Sequence, residues 1–219
     1  METEVRPQRR RSRELDLARY DTDKIANGYL DVYDPVFADW VDHPIKLLEL
    51  GVFRGGSLQL WCDYFPAAMV VGVDAQRPAV AQVPPRATFL CGKQEDPQFL
   101  TSVARRMAPG GFDIIIDDAS HIGALTRAAF WHLFDHHLKS GGLYVIEDWG
   151  TGYWSDWPDG RRYRPGTPHT SGMVGFVKEL VDEQGAHDLT RGAWTGQPQR
   201  NSKFREVRVT PSIVFVGKR

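Results

Sequence analysis

Phe112-Asp-Ile-Ile-Ile-Asp117-Asp118-Ala-Ser-His121 is a short apolar run that breaks off in two acids. Three consecutive isoleucines suit a strand covered on both faces, because a strand with one wet face alternates apolar and polar residues. Other short runs share the pattern. Residues 45–50 lead into Gly51, 69–73 stop at Asp74, 87–91 form a third run, and 143–146 stop at Glu147-Asp148. Segments of helical length lie between them, at 57–65, 98–107 and 125–138, the last expected to stop at Ser140-Gly141-Gly142. Strands alternating with helices predict an α/β fold with a parallel sheet. The end of the chain differs. Residues 204–209, a Thr210-Pro211-Ser212 turn and residues 213–217 predict an antiparallel hairpin.

Composition narrows the classes. The chain has 219 residues, 42% hydrophobic and 25% charged, which predicts one globular domain over 20–219. Basic and acidic residues number 27 and 28, so no global field favours nucleic acid or a membrane surface, and neither is expected as a partner. The exception is local: Arg6, Arg9, Arg10, Arg11 and Arg13 make residues 1–19 read as a flexible, solvated basic tail. No apolar core follows those arginines, so no secretory signal is expected. Only Cys62 and Cys91 occur, in no metal-binding spacing, which predicts a reduced, cytoplasmic protein.

In open α/β sheets, ligands bind beyond the carboxyl ends of the strands. Those ends carry Glu49, Asp74, Asp117, Asp118, Glu147 and Asp148. The first strand enters Gly51-Val-Phe-Arg-Gly55-Gly56-Ser57, a glycine turn that lets backbone approach a ligand. Asp74 follows 23 residues after Gly51, the separation at which a carboxylate accepts ribose hydroxyls. Loop and acid favour an adenosine-containing ligand; a tight packing turn is the competing reading. Glu49 beside the loop disfavours a pyrophosphate and suits the amine and sulfonium of S-adenosylmethionine. With no G-x-G-x-x-G present, a dehydrogenase ranks last.

Asp117 and Asp118 fall on opposite sides of their strand. If the strand ending at Glu147-Asp148 is its neighbour, three or four carboxylates meet about 4.8 Å apart. Their repulsion calls for a divalent cation, and oxygen ligands point to Mg²⁺, with Mn²⁺ and Ca²⁺ as alternatives. Helix capping explains one of these acids, not the set. His121, beside them, is a candidate general base. From Trp149 to about Gly172 runs a long segment rich in Trp and Tyr, read as a lid or substrate loop over 150–172, or as an oligomer interface.

Several stretches together carry a family likeness: Thr22-Asp23-Lys24, LLELGVFRGGSLQLW at 47–61, GVDAQ at 72–76, FDIIIDDASHI at 112–122 and LKSGGLYVIEDW at 138–149. On them the chain resembles the metal-dependent sugar O-methyltransferases, including macrolide deoxysugar and methylmannose polysaccharide enzymes. The resemblance spans roughly residues 20 to 150 and implies a Rossmann-like class I methyltransferase fold. It implies S-adenosylmethionine and Mg²⁺ as cofactors. Asp118, Glu147 and Asp148 would hold the metal, and His121 would be the base. Cofactor contacts would fall on Thr22, Glu49, Gly51, Ser57, Asp74, Gln94 and Asp117. The acceptor would be a sugar-containing small molecule or oligosaccharide, and the protein a homo-oligomer. Two positions depart from the family's pattern: Asp21 stands where Gly usually precedes Thr-Asp-Lys, and Lys93 where an acid commonly precedes Gln94. A metal-independent methyltransferase and a non-catalytic nucleotide- or sugar-binding protein are the rival readings.

Overall fold

The apolar runs become strands. The computed structural model describes residues 10–77 and 83–219. Strands β1 (Lys46–Leu50), β2 (Met69–Asp74), β3 (Ala87–Cys91), β4 (Phe112–Asp117) and β5 (Leu138–Glu147) are parallel. The hairpin of β6 (Phe204–Val209) and β7 (Ile213–Lys218) adds two antiparallel strands, giving the order β3-β2-β1-β4-β5-β7-β6. Thr210 closes the hairpin: its amide donates to the Ile213 carbonyl at 2.9 Å, and its hydroxyl accepts from the Ile213 amide at 3.0 Å. Around the sheet lie helices α1 (Asp23–Ala26), α2 (Tyr29–Phe37), α3 (Gly56–Tyr64), α4 (Pro97–Met107), α5 (Gly123–His136), α6 (Gly172–Gln184) and α7 (Ala186–Leu189). This is the mostly parallel sheet with a terminal antiparallel pair that the sequence predicts.

Alternation along the strands divides the core. Leu48, Leu50, Ile115, Tyr144 and Ile146 face Phe130, Leu133 and Phe176 of α5 and α6. Leu47, Ile114, Ile116, Leu143 and Val145 face Tyr33, Phe37 and Trp61 of α2 and α3. The same period assigns the acids their sides. Glu49 follows Leu47 and meets Trp61, Asp117 follows Ile115 and meets Tyr144, and Glu147 follows Val145 and meets Tyr33.

Three expectations need correction. Helix α5 stops at His136, and Ser140-Gly141-Gly142 lies inside β5 rather than ending the helix. Phe112 pairs with Leu138 and Ile114 with Leu143, so residues 139–142 bulge opposite Asp113 alone. Gly141 turns that bulge at φ +77°, where a side chain is strained. Helix α6 was not read from the sequence, although Met173, Phe176, Val177 and Leu180 are buried at helical spacing.

The third correction concerns the basic tail. Residues 1–9, with Arg6 and Arg9, lie outside the described residues, but the chain is bound down from Arg10. Arg11 donates to the carbonyls of Asp63 and Tyr64 at 2.6 and 3.2 Å, at the carboxyl end of α3, where the helix dipole favours a cation. Buried Asp34 accepts from the Ser12 amide at 3.0 Å, the Ser12 hydroxyl at 2.6 Å and the Tyr64 hydroxyl at 2.8 Å. Asp34→Ala leaves three buried donors short of an acceptor and should cost about 2–4 kcal/mol in urea unfolding. The same variant should expose the bonds after Arg11 and Arg13 to trypsin. Unchanged stability and protection would show that the segment is held by other contacts.

Candidate active site at the carboxyl ends of the strands

Parallel pairing sets Asp117 of β4 level with Leu50 of β1 and Ile146 of β5, so three chain segments deliver their acids to one place. The centre of that place is a cation. Lys24 at the start of α1 is fully buried, with Nζ 2.5 Å from Asp118 Oδ2, 2.8 Å from Glu147 Oε2 and 3.8 Å from Glu49 Oε1. Thr22 caps α1, its hydroxyl accepting from the Lys24 amide at 3.4 Å. Burial alone would push the Lys24 ammonium down, but Asp118, Glu147 and Glu49 outweigh it and hold the group well above its ordinary value.

The partners decide which oxygens stay available. Glu147 has both engaged, one by Lys24 and the other by the Tyr33 hydroxyl. Asp118 gives Oδ2 to Lys24, and its Oδ1 lies 3.8 Å from His121 Nε2. Asp148 accepts the Tyr29 hydroxyl on Oδ1, and its Oδ2 also lies 3.8 Å from His121 Nε2. One donor atom each from Asp118, His121 and Asp148 falls within 4.8 Å of the others. Two hard carboxylate oxygens and an imidazole fit a small divalent cation. Two of the three expected metal residues, Asp118 and Asp148, thus converge beside His121, the expected base, while Glu147 is turned toward Lys24 and Tyr33.

Three non-glycine residues among those described have φ in the left-handed region: Phe53 at +47°, His121 at +51° and Asp148 at +53°. All border this site. Such conformations cost of order 1–3 kcal/mol each, and they gather where geometry serves chemistry.

Two cavities meet at Asp118. One, of about 360 Å³, is lined by Gly51, Asp74 and Gln94. The other, of about 510 Å³, is lined by Thr22, Ser57, His121 and Asp148. The expected cofactor contacts thus divide. Gly51, Asp74 and Gln94 face the first cavity; Thr22 and Ser57 face the second. Glu49 and Asp117 line neither. Glu49 accepts from Ser57 Oγ at 2.8 Å and Trp61 Nε1 at 2.9 Å, and burial pushes its carboxyl up to about 7. Asp117 accepts from Gln94 Nε2 at 3.2 Å and is likewise pushed up to about 7 by burial. Gly51 is needed at its turn: with φ +86°, an added Cβ would sit 2.0 Å from the Asp118 carbonyl oxygen. A larger cavity of about 810 Å³ opens at the amino ends of the strands, around Trp40, His43 and Arg205, and holds none of the expected residues.

The aromatic segment after Asp148 closes the far side. Trp157 Nε1 donates to the His121 carbonyl at 3.1 Å. Asp159 Oδ2 accepts from the Gly123 and Met173 amides at 2.7 and 2.8 Å, clamping α5 to α6. A third cavity, of about 610 Å³, runs from His121 and Asp148 to Asn27, Tyr29, Trp154 and Ser212. Lys24, Tyr29 and Tyr33 were not among the residues read from the sequence as candidates. Tyr29 and Tyr33 stand four apart on α2, which places them on one face. Lys24 was in the matched Thr-Asp-Lys stretch, and a single cation among so many acids was the available signal.

Comparison with known proteins gives relatives over most of the chain. It is 38% identical over 193 residues to demethylmacrocin O-methyltransferase of Streptomyces fradiae, covering 85% of this chain and 47% of that protein. It is 38% identical over 186 residues to mycinamicin VI 2''-O-methyltransferase of Micromonospora griseorubida, covering 78% and 44%. Among solved structures, the MycE methyltransferase of the mycinamycin biosynthetic pathway, in complex with Mg and SAH, superposes with a TM-score of 0.77 at 32% identity, over 97% of this chain and 54% of that one. The chain spans about half the length of the curated relatives it matches. No protein-family model matches it.

The buried cluster predicts two outcomes. Lys24→Met leaves Glu147 and Asp118 without their cation and should cost about 3–5 kcal/mol in denaturant unfolding; a loss under 1 kcal/mol would remove Lys24 from its central place. Glu49 ionises at lower pH unfolded than folded, so the unfolded state holds fewer protons in between. Stability should therefore fall as pH rises from about 4.5 to about 7. Glu49→Gln should flatten that slope in thermal melts, and an unchanged slope would show that Glu49 does not carry it.

Proposed function

From a chain whose homologues are macrolide and sugar O-methyltransferases, we propose a methyltransferase that moves the methyl group of S-adenosylmethionine to a hydroxyl of a sugar-bearing small molecule. The observation that carries this reading is the convergence of the free oxygens of Asp118 and Asp148 on His121 Nε2, beside two joined cavities.

The chain's own residues supply the following. Asp74 accepts the ribose hydroxyls, Gly51 gives the cofactor close approach, and Gln94, held by Asp117, borders the same cavity. Asp118 and Asp148 would hold Mg²⁺, each carboxylate being fixed by a second partner, Lys24 or Tyr29. Bound there, a divalent cation lowers the pKa of a nearby hydroxyl. His121 takes the hydroxyl proton as the acceptor oxygen attacks the methyl carbon. The C–O bond forms, the C–S bond breaks, and the electron pair stays on sulfur as a neutral thioether. The strands and the aromatic segment align the three atoms in line. Trp154, Tyr29 and Asn27 offer an aromatic face and an amide to the rest of the acceptor.

A homo-oligomer joined through the aromatic segment, and a cytoplasmic setting suited to two free cysteines, belong to the same reading. No helix among the described residues is long and apolar enough to cross a membrane.

The test is methyl transfer to a panel of glycosides, with Mg²⁺ and with EDTA. Activity should require the metal. Asp118→Asn and Asp148→Asn should each lower kcat/KM by about 100-fold or more, and His121→Ala should lower kcat by about 10²–10⁴-fold. Near-full activity in both Asp118→Asn and His121→Ala would end the proposal. Calorimetric Mg²⁺ affinity separates the two ligand sets. Glu147→Gln tests the third expected ligand: a loss as large as that of Asp118→Asn makes Glu147 a ligand, and a change within about threefold assigns it to Lys24 alone.

A further inference from the structure

Of the three strained residues at this site, His121 and Asp148 have a task and Phe53 has none. We infer that Phe53 is an aromatic flap over the junction of the two cavities, closing against the sulfonium of bound S-adenosylmethionine. The inference rests on the proposed function and goes beyond it.

Four observations carry it. First, the backbone of Phe53 is held at φ +47° between Gly51 and Gly55, which have φ +86° and +85°. Glycine would occupy that turn without strain, so a phenylalanine there costs stability that its fold does not return. Second, Phe53 is 76% exposed, the largest fraction for any phenylalanine among the described residues. It gives the core nothing. Third, both cavities share Gly51, Phe53, Asp118 and Ala119 as lining. Gly51 has no side chain, Ala119 only a methyl group, and Asp118 is tied to Lys24. Phe53 is the member of that set with a large, exposed side chain. Fourth, the Val52 and Phe53 amides both donate to Asp74 Oδ2, at 2.9 and 3.0 Å. Asp74 is the residue placed to take the ribose, so cofactor entry acts directly on the strained turn.

The ring already has one cation beside it. The Arg54 guanidinium carbon lies 5.1 Å from the Phe53 ring centroid, and Arg54 reaches Asp21 at 3.6 Å. Asp21 is one of the two positions that depart from the family's pattern. The Asp21–Arg54–Phe53 chain thus sets a solvent-exposed cation against the ring. A sulfonium in the first cavity offers the ring a second cation, one shielded from water. Closing on it covers the path of the methyl group and excludes competing water.

The experiment compares wild type with Phe53→Gly, Phe53→Leu and Phe53→Tyr. It reads Tm without ligand, calorimetric Kd for S-adenosylmethionine and for S-adenosylhomocysteine, and kcat and KM. Phe53→Gly should keep or raise Tm by up to about 3 °C, because strain is relieved. It should weaken binding of the cationic cofactor by about tenfold and of the neutral product by less than about threefold. Phe53→Tyr should restore the cofactor's affinity, and Phe53→Leu should not. A Tm several degrees lower in Phe53→Gly would make the ring structural and overturn the flap. Equal weakening for the two ligands, or none, would overturn the sulfonium contact. Wild type that binds neither ligand would instead refute the proposed function, and the flap with it.

Discussion

A buried ammonium is the constraint on which the site depends. Lys24 has no exposed surface, and three carboxylates from β1, the end of β4 and β5 surround it. Such a cluster adds little net stability, since desolvating four charged groups offsets most of the attraction. Its effect is on arrangement. Each oxygen bound to Lys24 is one that cannot face a ligand, so the cation decides which atoms of Asp118 and Glu147 point outward. Tyr29 does the same for Asp148, and Tyr33 for Glu147. The cavity-facing side is thus defined by subtraction. Of Asp118, Glu147 and Asp148, two oxygens remain toward His121, one on each aspartate.

Strand periodicity makes that subtraction possible. A slip of one residue in β5 would carry Glu147 across the sheet, away from Lys24 and toward the packing of α5 and α6. The bulge at residues 139–142 lies upstream of the register that pairs Ile146 with Asp117. It absorbs extra chain without moving the acids. The left-handed backbone at His121 and Asp148 completes the geometry, since each residue follows a strand end and must turn back toward the other.

Much of this was legible in the sequence. The alternation of apolar runs and helical segments dictates a parallel sheet, and the Thr-Pro-Ser turn dictates the hairpin. The acids at the strand ends could be named because a sheet buried on both faces has few other places for them. What could not be read was the bookkeeping among them. Glu147 and Asp148 are adjacent and chemically alike. Only the direction of β5 and the hydroxyls of α2 show that one is buried and the other faces the cavity. Lys24 was hidden for a related reason: its role comes from residues 94 and 123 positions away. Ser-Gly-Gly reads equally well as a helix stop or a bulge, because glycine satisfies both. The docking of Arg11 could not be read either, because the carbonyls it meets lie 52 and 53 positions away at the end of a helix.

The aromatic segment ties acceptor binding to this geometry. Trp157 bonds the backbone carbonyl of His121 itself, and Trp149 Nε1 donates to the Thr210 carbonyl in the hairpin turn at 2.9 Å. The wall of the outer cavity is therefore attached at one end to the proposed base and at the other to the edge of the sheet. A shift of this wall would act on the strained peptide of His121 through its carbonyl. Loops on a rigid sheet change more readily than the strand ends they cover. Such an arrangement sets the aromatic surface on a loop while the carboxylates around Lys24 sit at the rigid strand ends.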